Sequence, residues 1–217
     1  MSGYRRAFSF VLSQQQCTSF YLPLNDQFTS SEKFINVSAI PMRQDSLHRH
    51  LLNFLLVSAS SFLIGTIHGM LQVMPPIRAW LDSIGSPYGG PGHMIDPLAH
   101  AHMNLVGGVV MLSMCVTFYL LPIFTGGRLY SVRLVKHTFW WVSIGVYSFY
   151  LVQMTFGIWE GTLLLSRPQD VASVHHFYGP AMAVSGTTMA IGFCTFFANV
   201  IMTFAGKRSE NVATEQN

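Results

Sequence analysis

The run Leu98-Ala-His-Ala-His-Met-Asn-Leu-Val-Gly-Gly-Val-Val-Met-Leu-Ser-Met-Cys-Val-Thr-Phe-Tyr-Leu-Leu121 decides the fold, because it contains no Asp, Glu, Lys or Arg. An apolar run of about 20 residues is long enough to cross a bilayer as a helix. Three more runs of that kind occupy 51–74, 138–165 and 176–204. Half of the chain is hydrophobic and only 10% is charged, where a soluble domain carries about a quarter charged residues. Helices satisfy every backbone group within one segment, so they are the expected spanning form. The composition therefore predicts an all-α polytopic membrane protein: one four-helix antiparallel bundle over 51–205, followed by a short tail at 206–217.

The first fifty residues read differently. They are polar, rich in Ser and Gln, and lack the apolar core of a cleavable signal peptide. They are expected to be a leader outside the bundle, either disordered or an upstream extension of the reading frame. Met42 would make a natural start by itself. Cys17, Cys115 and Cys194 form no spaced pair, so neither a disulfide framework nor a zinc site is expected.

Basic residues set the orientation. With four spans, both termini and the 123–137 loop share one side, which holds every Lys and Arg except Arg78 and Arg167. The positive-inside rule places that side in the cytoplasm. The net charge of +3 thus follows membrane topology and gives no argument for nucleic acid.

Ionisable side chains inside spans are rare and usually functional. His68 is expected about 9 Å inside the outer end of the first span, and His100 and His102 about 3 and 6 Å inside the second. Glu160 is the only acidic residue in any span; it falls near the outer end of the third, and His175 and His176 open the fourth. Antiparallel helices would bring these residues to one layer, which points to a redox or metal site. His48, His50 and His137 belong to the opposite, basic side. His100 and His102 are two residues apart, so they point to nearly opposite helix faces and do not readily share one iron. Gln72 and Asn104 are placed to orient an imidazole through its second nitrogen. Gly65, Gly69, Gly107, Gly108, Gly157 and Gly161 accompany these polar residues and favour close helix approach.

The 98–121 run, ending Phe118-Tyr-Leu-Leu-Pro122, resembles the second helix of the haem-copper oxidase catalytic subunit I, in the branch with nitric oxide reductases. Thr125-Gly-Gly-Arg-Leu-Tyr-Ser-Val-Arg-Leu, Phe139-Trp-Trp and Gly157-Ile-Trp-Glu-Gly continue that resemblance, which covers roughly 51–165. It implies haem b, with His102 as an axial iron ligand near the outer face. The second ligand would be His68 or His176, with His175 and His100 as further candidates, or would come from another subunit. The family subunit has many more helices, including those that carry its histidine triad, so this chain is not expected to be a complete oxygen or nitric oxide reductase.

Three functions follow. The first is a haem b electron-transfer subunit of a respiratory complex, in a prokaryotic inner membrane. Its partners would be lipid, other respiratory subunits or further copies of itself, with a quinol or cytochrome c as donor. The second is a metalloenzyme holding non-haem iron or copper through histidines and Glu160 and acting on O2 or NO. The third is a non-catalytic subunit of such a complex.

Overall fold

The computed structural model describes the backbone of residues 41–215 and the side chains of 47–206. The expectations for the polar leader fall almost wholly outside the described residues. Those described form helices joined by short turns, with no strand among them. We label the helices α1 (Pro41–Gln72), α2 (Pro75–Ser83), α3 (Gly90–Thr125), α4 (Val132–Ser166) and α5 (Val171–Glu215). Four of them, all but α2, are long and apolar enough to cross a membrane, as expected.

The core lies between α1, α3 and α4. Phe54 of α1 is fully buried and meets Phe118 and Phe139 edge-on, with ring centroids 6.0 and 5.3 Å away. Helices in lipid gain no hydrophobic advantage over the tails, so small residues and side-chain hydrogen bonds hold them together. Ser58 donates to the Gly108 carbonyl at 2.9 Å, and Ser61 pairs with the Tyr147 hydroxyl at 3.2 Å. The most extensive interface joins α4 and α5. There a Cβ on Gly145 would stand 2.6 Å from the Met189 backbone, and one on Gly192 would stand 2.7 Å from the Val142 nitrogen. Each helix thus supplies the glycine that lets the other approach.

The segment between the first two spans is not a plain loop. Pro75 and Pro76 open α2, because proline lacks only a donor that the first helical turn does not use. Gly85 and Gly90 take positive φ, and the chain re-enters the bundle at Gly90 rather than at Leu98. The start of α3 is irregular: Asp96 has extended backbone angles before Pro97, which kinks the helix within Met94–Ala99, and a wide π-type stretch covers Met103–Val110. Together α2 and the first turns of α3 form a cap. Arg78 clamps it, donating to Asp96 at 2.6 Å, to Ser86 at 2.9 Å and to Asp82. Its hydrogen bonds to Asp82 and then Asp96 raise the guanidinium above its ordinary value. Gln72, the last residue of α1, donates to the Ile95 carbonyl and ties the cap to the bundle.

Candidate functional site

The cap changes the expected depth of the histidines. Because α3 begins two turns earlier than the hydropathy suggested, His100 and His102 sit well inside it. His68 packs on Tyr150, with ring centroids 5.7 Å apart, and His102 packs on Phe149 at 4.3 Å. Both contacts fall midway along α4. Glu160 lies about 15 Å further out on that helix at the α-helical rise. The expected single layer is therefore two: a middle layer of His68, His100 and His102 under the cap, and an outer pair of Glu160 with His175.

His68 is buried, and both its ring nitrogens are engaged. The Ile95 carbonyl can only accept, so it fixes the Gln72 amide nitrogen, whose second hydrogen points at His68 Nε2 at 3.0 Å. The neutral ring then carries its proton on Nδ1 and donates to the Tyr150 hydroxyl at 3.3 Å. His100 turns to the same helix, α1: its Nδ1 donates to the Gly65 carbonyl at 3.0 Å. Gly69 makes room for its ring, since a Cβ there would stand 2.6 Å from His100 Cε1. Gly65 likewise admits the Asn104 side chain. Asn104 attends His100 one turn earlier rather than its nearer neighbour His102.

His102 faces the other way, as the helical repeat required. Its Nδ1 donates to the Leu98 carbonyl at 3.0 Å. That bond puts the ring proton on Nδ1 and leaves the lone pair of Nε2 free of any partner among the described residues. The ring is half-buried and lies over Phe149 at a tilt of 33°. A histidine that ligates a metal commonly shows this pattern: one nitrogen donates to a backbone carbonyl, which fixes tautomer and orientation and raises the basicity of the other. The wide turn that follows His102, Met103–Val110, is also of a kind found disproportionately at functional sites. This donor fits one axial position of a haem iron.

In the outer layer Glu160 is buried, and its carboxylate meets His175 Nδ1 at 3.1 Å, while the His175 side chain is 57% exposed. Two turns inward on α4, Gln153 is fully buried; its Oε1 accepts from the Tyr178 hydroxyl at 3.4 Å and its Nε2 has no partner. His176 is exposed at the start of α5, against Phe177. No group of three His, Cys, Asp or Glu side chains converges on a common point among the described residues. The sequence reading had passed over Tyr150, Gln153 and the cap residue His93, whose Nδ1 bonds the Pro87 carbonyl. Gln153 could have been noticed as the one amide side chain within the third span, which holds a single carboxylate, Glu160.

The fold and these polar layers define a four-helix membrane protein built around intramembrane histidines. No family model matches the chain. The chain is similar to the cytochrome c oxidase subunit 1 homolog of Agrobacterium tumefaciens (strain T37), 29% identical over 129 residues. The alignment covers 54% of this chain and 24% of that protein, so the chain spans about a quarter of the relative's length. The likeness agrees with the resemblance carried by the 98–122 run.

Proposed function

We propose that the chain is a haem b-bearing electron-transfer subunit of a membrane respiratory complex, with His102 as one axial ligand. The observation that carries this reading is the free Nε2 of His102, set by the Nδ1 bond to Leu98. The similarity to an oxidase subunit 1 homolog supports the same class of cofactor. With two histidine ligands, a haem supplies a one-electron carrier with no open coordination position.

The chain's own residues have defined tasks in this reading. The Leu98 carbonyl fixes the tautomer and aim of the His102 ring, and Phe149 limits its rotation. His68 and His100 act as hydrogen-bonded struts between α1, α3 and α4, since their rings are committed to Gln72, Tyr150 and Gly65. The second axial ligand is assigned to a partner chain, because His102 stands half-buried at the bundle surface and meets Phe149 rather than another imidazole. The concentration of Lys and Arg at the end opposite the cap supports cytoplasmic termini in a bacterial inner membrane. A quinol or a cytochrome c, meeting the outer face, is the proposed donor.

The test is the reduced-minus-oxidised spectrum of the full-length chain, purified in mild detergent from haem-replete cells with its partner chains still bound. A low-spin b-type band is expected, lost in His102→Ala and kept in His68→Ala. Wild-type protein without haem, or a band indifferent to His102→Ala, would sink the proposal.

A further inference from the structure

The motif Thr125-Gly-Gly-Arg-Leu-Tyr-Ser has no part in the histidine layers, yet it lines a cavity of about 440 Å³. We propose that this cavity binds the phosphodiester headgroup of an anionic glycerophospholipid. It lies between the α3–α4 turn and the end of α5, at the end of the bundle away from the cap. Arg128 lines it, beside Thr125 and Tyr130, with Met202, Thr203 and Gly206 on the α5 side.

The charge at this end is unbalanced. The acidic residues with described side chains are Asp82, Asp96, Glu160 and Asp170, all at or near the opposite end, and in the sequence Asp45, Glu210 and Glu215 are outnumbered here by Arg43, Arg49, Arg128, Arg133, Lys136, Lys207 and Arg208. Arg128 forms no ion pair or hydrogen bond with any described residue, so its guanidinium is free to take a phosphate through two parallel N–H bonds. Basic pockets between spans on the cytoplasmic side are one form of anionic headgroup site.

The rim is also built rather than incidental. Asn199, fully buried on α5, accepts from the Ser131 backbone nitrogen at 3.1 Å and donates to the Ser131 carbonyl at 2.9 Å. Thr203, one turn on, accepts from the Tyr130 nitrogen at 3.0 Å. Two buried polar side chains thus pin the loop that presents Arg128. The mouth has both characters that a lipid needs: a cation for the headgroup, and exposed Met202 and Tyr130 for the glycerol and upper acyl region.

The experiment reconstitutes the full chain in vesicles of equal parts phosphatidylglycerol and phosphatidylcholine, then weighs the lipids retained after mild detergent extraction by native mass spectrometry. Phosphatidylglycerol should be retained at about five times the amount of phosphatidylcholine, the size of one interfacial basic contact. Arg128→Gln should remove the excess, and Arg133→Gln, which changes a basic residue outside the cavity, should keep it. Gly206→Phe should also remove it without altering charge, because a side chain there grows into open space. Added inorganic phosphate should not displace the lipid. No enrichment in the wild type, enrichment surviving both Arg128→Gln and Gly206→Phe, or retention of free phosphate in place of lipid would each overturn the proposal.

Discussion

His68 and His100 meet edge-on across the α1–α3 contact, with ring centroids 5.9 Å apart and planes at 87°. The His100 ring could not lie where it does without Gly69, the glycine of α1 that leaves room for it. The pair makes the middle of the bundle a hydrogen-bonded structure rather than a purely apolar one.

Gly69→Val is the direct check on this relationship. Its Cβ would stand 2.6 Å from His100 Cε1, and the ring cannot yield without losing the Gly65 carbonyl. Overpacking of this kind costs about 1–3 kcal/mol. The expected result is a lower melting temperature in detergent. Any b-type band should persist, since His102 points away from α1. Unchanged melting would mean that the α1–α3 spacing is looser than described.

The outer pair makes a different prediction. Removing the imidazole in His175→Ala strands a buried carboxylate, for which an unpaired ionised group is costly. The exposure of His175 tempers this, so a loss of about 1–2 kcal/mol is expected. Adding Glu160→Gln to that variant should recover most of the loss, because a neutral amide at the same site tolerates burial better. Thermal melts of the two singles and the double give the coupling. Additive losses would show that the contact contributes nothing.

Arg78→Gln tests the cap. It removes the bonds to Asp82, Ser86 and Asp96 at once. Amide exchange is expected to quicken across 75–97 while the middle of α4 keeps its protection. Exchange that quickens throughout the bundle instead would make Arg78 a support of the whole fold rather than of the cap.

The spans were plain in the sequence because a bilayer imposes a long uncharged run, and nothing else explains 98–121. The opposed faces of His100 and His102 were equally plain, since the helical repeat alone fixes them. The bond between Gln72 and His68 followed from their one-turn spacing. The cap was not legible: the uncharged run starts at Leu98, just after Asp96 and Pro97, while the span that carries it already begins at Gly90. The 98–121 reading therefore sets His100 and His102 at the start of a span whose chain has already run two turns from Gly90. The partners of Gly65 and Gly69 were also hidden. Both flank His68 in the chain, yet they make room for Asn104 and His100 of another helix, and a sequence does not state which helices touch. The Leu98 carbonyl that orients His102 belongs to the backbone, so no residue type announces it.

The reciprocal glycines of α4 and α5 have a mechanical consequence. Gly145 and Gly192 let the two backbones interlock, and Thr138 and Thr195 join them again at 3.0 Å. A force applied at the C-terminal end therefore meets a hairpin rather than a single rod. The last two helices should leave the bilayer in one rupture event when the chain is drawn out by its tail, and the remaining helices should follow later and at lower load.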